Sequence, residues 1–145
     1  MSLSEKKILL VENDPDHAEL IIDVLELGDV KKKVILMKDG KEVMDYFQKT
    51  DLDGVDNEIK TQISLVILDL NLPKIDGMNV LKFIKENTKY RSIHVIILST
   101  SSDDRTIAEA YKNGANGFIT KRVSYKEFIK QVQTLKEFYN ILPQR

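Results

Sequence analysis

The sequence contains no cysteine and no tryptophan among its 145 residues. Without cysteine the chain can form no disulfide, thiolate nucleophile or zinc–thiolate site, and this composition fits a reducing cytoplasm, where we expect the protein to act. The chain also lacks an excess of either charge, since 22 Lys and Arg oppose 23 Asp and Glu. Nucleic-acid-binding domains normally carry a basic excess, so we expect no nucleic-acid partner.

Long hydrophobic segments are absent as well. The apolar runs have the length of strands, whereas a membrane-spanning helix needs about 20 apolar residues. The N-terminal stretch is MSLSEKK, which lacks the apolar core of a signal peptide. We therefore expect no membrane association. A chain of 145 residues, 42% hydrophobic and 31% charged, is typical of one globular domain over residues 1–145, with no separate output domain.

Short apolar segments alternate with longer amphipathic ones along the chain. The five strand candidates are Ile8–Val11, Val34–Met37, Leu65–Leu68, Val95–Leu98 and Gly117–Thr120. Consecutive apolar residues are typical of parallel strands that are buried on both faces. Five strand–helix alternations predict a doubly wound parallel α/β sheet with helices on both faces. The polar stretch Thr50–Gln62 is predicted to be a loop before the third strand.

Polar residues follow the predicted strands. They are Glu12 and Asn13 after the first strand, Asp69 and Asn71 after the third, Ser99 after the fourth and Lys121 after the fifth. In open α/β sheets, ligands bind outside the carboxyl ends of the strands, so we expect these groups to meet at one edge. Asp69 is the most informative of them, because it interrupts an apolar run where an unpaired buried charge would be costly.

This set of groups suits phosphoryl chemistry. The carboxylates of Glu12 and Asp69 could hold Mg²⁺, which prefers oxygen ligands. The Asp69 carboxylate could attack a phosphoryl group and form an aspartyl phosphate. Lys121 would pair with that group as a point charge, and Ser99 would donate a hydrogen bond to it. We therefore interpret Asp69 as a nucleophile.

Other acidic and histidine residues have simpler interpretations. Asp14–Pro15 is typical of a helix N-cap followed by proline at the first helical position. Asp76–Gly77 favours a turn and a helix start. Neither His17 nor His94 has a second metal-type ligand at helical spacing, so neither predicts a metal site.

Four stretches resemble the receiver domain of bacterial two-component response regulators over nearly the whole chain. They are KKILLVENDPD, SLVILDLNLPKIDGMNVL, VIILSTSS and GANGFITKR. The stretches MKDGKEVMDYF and SYKEFIKQV further resemble the single-domain subgroup associated with phytochromes. The resemblance implies a flavodoxin-like sheet with strand order 2-1-3-4-5. It also implies a phosphoacceptor signalling domain rather than an enzyme with a substrate of its own.

The resemblance assigns roles to individual positions. Asp69 would accept a phosphoryl group from the histidine of a sensor kinase, of phytochrome type if the subgroup holds. Glu12, Asn13 and the backbone carbonyl of Asn71 would complete the magnesium pocket around Asp69.

Three further positions have roles in the response. Ser99 would move toward the phosphoryl group, Lys121 would pair with it, and Phe118 would be the aromatic switch residue, although a core aromatic fits Phe118 equally well. The signal would leave through changed contacts with a downstream protein.

Two positions depart from the family pattern. The family usually has an acid where this chain has Asn13, so we expect weaker metal binding. The family lysine is usually followed by proline, whereas here Arg122 follows, which predicts a trans peptide bond. Asn13 motivates an alternative, a receiver-like interaction module that no longer uses phosphate. A phosphatase is disfavoured because Asn71 stands where a second acid is needed. A flavin phosphate site is disfavoured because Glu12 and Asp14 would repel the phosphate.

The end of the last helix carries more apolar residues than one stripe requires. These residues are Phe138, Tyr139, Ile141 and Leu142. We therefore expect this end to contribute to a homodimer or partner contact on the face formed by the fourth helix, the fifth strand and the fifth helix.

Overall fold

The computed structural model describes residues 7–26, 33–52, 63–100 and 103–141. Strands and helices alternate throughout these residues. The strands are β1 (Lys7–Val11), β2 (Lys33–Met37), β3 (Ile63–Leu68), β4 (His94–Ser99) and β5 (Gly117–Thr120). The helices are α1 (Pro15–Glu26), α2 (Gly40–Leu52), α3 (Gly77–Glu86), α4 (Asp104–Lys112) and α5 (Tyr125–Ile141). Among these helices none is long and apolar enough to cross a membrane.

The five strands form one parallel sheet in the order β2-β1-β3-β4-β5. Val11 pairs with Met37 on one side and Leu68 on the other, and Ser99 pairs with Thr120. Leu68 pairs with Ile97, two residues before the end of β4. Neighbouring strands therefore end within two residues of each other, so that the residues after them share one edge of the sheet. This confirms the predicted fold class and strand order.

Alternate residues of each strand pack against opposite layers of helices, as the strand period of two requires. Leu9 and Val11 of β1 join a buried cluster with side chains of α2, α3 and α4, whereas Ile8 and Leu10 join a second cluster with α1 and α5. Burial on both faces explains why the strands are apolar at consecutive positions.

Two predicted helix starts are confirmed by their capping bonds. Oδ1 of Asp14 accepts the backbone N–H groups of Asp16 (2.9 Å) and His17 (3.3 Å) at the start of α1. Asp76 accepts the N–H of Asn79 at the start of α3. These side chains satisfy N–H groups that the first helical turn leaves unpaired.

One prediction, the bounds of a loop, needs correction, and another, the surface at the end of α5, falls partly outside the described residues. The predicted loop Thr50–Gln62 begins too early, since α2 continues to Leu52, and residues 53–62 lie outside the described residues. At the end of α5, Tyr139 is buried within the chain and Phe138 is half-buried against the same core, so Tyr139 offers little surface to a partner. The side chain of Ile141 and the whole of Leu142 lie outside the described residues.

Candidate functional site

A buried lysine lies between two buried carboxylates at the carboxyl edge of the sheet. Nζ of Lys121 is 2.7 Å from Oε1 of Glu12 and 3.1 Å from Oδ2 of Asp69. The lysine side chain is only 3% exposed. Three positions far apart in the sequence thus meet, as the arrangement of strand ends predicts. Because each charge has an opposite partner, the group avoids the large penalty of an isolated buried ion.

The backbone of each of these residues is held by one hydrogen bond just beyond the end of its strand. The three bonds run from Glu12 N–H to the Met37 carbonyl (3.0 Å), from Asp69 N–H to the Val11 carbonyl (3.0 Å) and from Lys121 N–H to the Ser99 carbonyl (2.8 Å). The sheet therefore fixes the point from which each side chain enters the site.

Asp69 is held in place by its neighbours. Its side chain is 8% exposed, and its Oδ1 accepts the backbone N–H of Asn71 at 2.9 Å. On the other side of its backbone, a Cβ at Gly77 would come within 2.3 Å of the Asp69 carbonyl oxygen. Only glycine therefore allows α3 to begin so close to the Asp69 backbone.

Glu12 is a buried carboxylate that shares the Lys121 ammonium with Asp69. Burial raises the pKa of Glu12, while the hydrogen bond and charge of Lys121 act in the opposite direction and the nearby Asp69 charge adds to the increase. Its second carboxylate oxygen accepts the N–H of Asp14 at 3.0 Å. Two carboxylates thus share one ammonium, an arrangement that a divalent cation would stabilise.

The donor atoms available for a metal are all oxygens. They come from the carboxylates of Glu12 and Asp69, the amide of Asn13, which is exposed, and the backbone carbonyl of Asn71. Within the described residues no group of three His, Asp or Glu side chains is placed to hold a metal ion. Two carboxylates with neutral oxygens still fit Mg²⁺, which is commonly bound through one or two carboxylates and keeps several waters.

Ser99 and Phe118 lie on the same face of the sheet. Ser99 is fully buried at the end of β4, and Phe118 pairs with Ile97, two residues before Ser99. Phe118 is half-buried and packs against the cluster beneath α2, α3 and α4. This partial burial is compatible with a ring that changes position, and the switch role of both residues stays a prediction.

The segment after Lys121 replaces the family's proline with a hydrogen-bonded loop. No peptide bond in the described residues is cis, which confirms the predicted trans bond before Arg122. The Arg122 N–H, which proline would lack, donates to Oε1 of Gln131 at 3.0 Å. The amide of Gln131 also donates to the Thr120 carbonyl. Gln131 thus bridges the residues on both sides of Lys121.

His17 is a member of this site that the sequence reasoning missed. Its Nδ1 lies 3.2 Å from Nζ of Lys121, and its ring packs against Phe128 with centroids 5.2 Å apart. Spacing along the sequence does not indicate this contact, because the partner of His17 is a lysine 104 residues away. The one available signal was its place in the first turn of the helix that follows Glu12.

Comparison with known proteins agrees with this geometry. The family model of the response regulator receiver domain matches residues 8–133. The chain belongs to this family. As a receiver it is a signalling domain, and the expected family resemblance is confirmed.

Two curated relatives cover most of this receiver. It is 34% identical to the probable methanogenesis regulatory protein FilR2 of Methanothrix harundinacea over 91% of this chain and 82% of that protein. It is 33% identical to the response regulator Rcp1 of Synechocystis sp. over 92% of this chain and 88% of Rcp1.

Two solved structures share the whole architecture. The Mn²⁺-bound form of Rcp1 superposes with a TM-score of 0.85 at 30% identity, covering 97% of this receiver and 99% of that chain. The phosphorylated cyanobacterial phytochrome response regulator RcpA superposes with a TM-score of 0.84 at 34% identity, covering 94% and 95%. Receivers of this family bind a divalent cation, and family membership disfavours the phosphate-independent alternative.

Proposed function

We propose that this receiver takes a phosphoryl group from the histidine of a sensor kinase on Asp69. The observation that carries the proposal is the contact of Lys121 with both Asp69 and Glu12 at the carboxyl edge of the sheet. The carboxyl edge of the sheet thus brings together a nucleophile, a cation that can pair with the transferred phosphoryl group and a second acid that can bind a metal.

The transfer exchanges one bond to phosphorus for another. An Asp69 carboxylate oxygen forms the bond to phosphorus while the bond from phosphorus to the donor nitrogen breaks, and its electron pair stays with the donor. Lys121 keeps its proton and pairs with a phosphoryl oxygen. A Mg²⁺ ion held by Glu12, Asp69 and the oxygens of Asn13 and Asn71 would neutralise charge on the transferring oxygens.

The output is a change in the protein surface. A phosphoryl group adds negative charge, of about −1.5 to −2 for a phosphorylated hydroxyl side chain. Ser99 would donate a hydrogen bond to the phosphoryl group, and Phe118, on the same face of the sheet, would then change its position. We propose that the face of α4, β5 and α5 then changes its preference for a downstream protein or a second copy of this chain.

The relatives support a more specific input. RcpA is a phytochrome response regulator solved in its phosphorylated form, and Rcp1 is solved with Mn²⁺. By similarity we propose a phytochrome-type histidine kinase as donor, Mg²⁺ as the cation and a cytoplasmic location, where ATP-dependent kinases work. Each of these stays a proposal for this chain.

The test is a phosphorylation assay with acetyl phosphate and Mg²⁺, read by intact-protein mass. The parent should gain one phosphoryl group, whereas Asp69→Asn should gain none. Asp76→Asn is the matched control, because asparagine caps a helix as well as aspartate does. Absence of a mass gain in the parent would instead support the phosphate-independent module. Gain in Asp69→Asn would show that another residue is the acceptor.

A further inference from the structure

Among the residues that the structure describes, the Lys121 ammonium has three acceptors for its three protons. They are Oε1 of Glu12 at 2.7 Å, Oδ2 of Asp69 at 3.1 Å and Nδ1 of His17 at 3.2 Å. A lysine between two carboxylates is a cation, and an ammonium can only donate hydrogen bonds. Nδ1 of His17 must therefore accept, so that the ring is neutral and carries its proton on Nε2.

The His17 ring is held in this orientation from two sides. Its backbone N–H bonds to the capping carboxylate of Asp14 at 3.3 Å, which fixes its place in the first turn of α1. Its ring packs against Phe128 of α5 at a centroid distance of 5.2 Å. Oδ2 of Asp14 lies 3.7 Å from Nδ1, farther than Lys121, so the lysine contact defines the role of this nitrogen.

We infer that His17 is a positioning residue for Lys121 during phosphoryl transfer, an inference that rests on the proposed function. When an Asp69 oxygen becomes bonded to phosphorus, the contact between Asp69 and Lys121 is altered. Glu12 and His17 still hold two of the three ammonium protons, so the third is directed toward the transferred phosphoryl group. His17 neither gains nor loses a proton in this step.

Two substitutions test separately the hydrogen-bond acceptor and the aromatic ring of His17. His17→Phe keeps a ring against Phe128 but removes the acceptor, whereas His17→Asn offers a carbonyl oxygen near the place of Nδ1 but removes the ring. The chain's other histidine gives a matched control, His94→Phe. His94 begins β4 at the opposite edge of the sheet, where its ring lies 6.5 Å from Phe138.

The rate of Asp69 phosphorylation by acetyl phosphate is measured at saturating Mg²⁺. We expect His17→Phe to be slower than the parent by roughly tenfold, the scale of one hydrogen bond to a charged group. His17→Asn should recover to within about twofold of the parent, and His94→Phe should match it. A parent-like rate in folded His17→Phe, or a defect in His17→Asn as large as in His17→Phe, would overturn the inference.

A second measurement separates this inference from the proposed function. Nitrogen-15 NMR of the unphosphorylated parent should show Nδ1 of His17 without a proton and Nε2 with one. This measurement needs no variant and no phosphorylation. It therefore tests the contact between Lys121 and His17 even if His17→Phe fails to fold or the parent takes up no phosphate. A proton on Nδ1 would exclude the lysine contact and with it the positioning role.

Discussion

Replacing Asn13 with aspartate should strengthen Mg²⁺ binding, because it adds a third acid to the pocket. Asn13 is exposed beside Glu12, which is 2% exposed at the end of β1. The neighbouring Asp14 serves as the cap of α1, since its Oδ1 accepts two N–H groups of that helix. The exposed position also means that the new carboxylate would need little desolvation.

The size of the effect follows from Coulomb's law. Two unit charges about 4 Å apart attract by about 1 kcal/mol in water and about 4 kcal/mol in surroundings typical of a protein surface. Because Asn13 is exposed, the lower value applies, and it doubles to about 2 kcal/mol for a divalent ion. That corresponds to a dissociation constant lower by roughly 30-fold for Asn13→Asp.

Isothermal titration with MgCl₂ at fixed ionic strength measures this change, since salt screens exposed charges. Asn87→Asp is the matched control. It makes the same change of charge at the C-cap of α3, the end of that helix farther from Asp69. The Asn87 side chain accepts the Lys89 N–H at 2.8 Å, which a carboxylate can also do. Equal Mg²⁺ affinity in the parent and Asn13→Asp would refute a metal site at Glu12, as would an equal gain in Asn87→Asp.

Two further predictions concern stability. The ammonium of Lys85 donates to the carbonyls of Arg91 (3.0 Å) and Ile93 (2.7 Å) and to Oδ1 of Asn116 (2.9 Å). Lys85→Met should therefore lower the free energy of unfolding in urea by roughly 2–4 kcal/mol, while Lys82→Met on the same helix should change it by less than about 0.5 kcal/mol; equal effects would contradict this assignment. In EDTA, the raised pKa of Glu12 means that the folded chain holds this proton to higher pH than the unfolded chain does. The free energy of unfolding should then fall as pH rises from about 4.5 through the raised pKa, by at most about 1.4 kcal/mol per pH unit. Subtracting the pH profile of Glu12→Gln from that of the parent should isolate this fall. A difference that does not change with pH would contradict the raised pKa of Glu12.

The fold and most of the site were predictable because they depend on local patterns. Consecutive apolar residues marked strands buried on both faces, and the alternation of strands and helices placed their carboxyl ends together. Asp69 stood out because a carboxylate in such a run needs a partner. Asp14 was recognised as a cap because proline follows it, and the structure shows both capping bonds.

The contacts that escaped prediction join a side chain to a residue in another segment of the chain. The bond of His17 to Lys121 depends on how α1 sits against the end of β5, and no spacing in the sequence encodes that. The bridge made by Gln131 is similar, since its two partners are backbone groups nine and eleven residues earlier, in the loop after β5 and at the end of β5. The end of α2 was missed because polar, turn-forming residues follow a helix whose last turn is itself polar.

The charges of the pocket explain why a neutral acceptor suits position 17. Glu12, Asp69 and Lys121 sum to −1, so a divalent cation brings the pocket to +1 before a phosphoryl dianion arrives. An acid at position 13 would lower each of these sums by one, binding the metal more tightly but repelling the phosphoryl group more. An acid at position 17 would hold Lys121 more firmly at the same electrostatic penalty. A neutral imidazole directs the ammonium without adding negative charge, so the pocket keeps its attraction for phosphate while Lys121 stays in place.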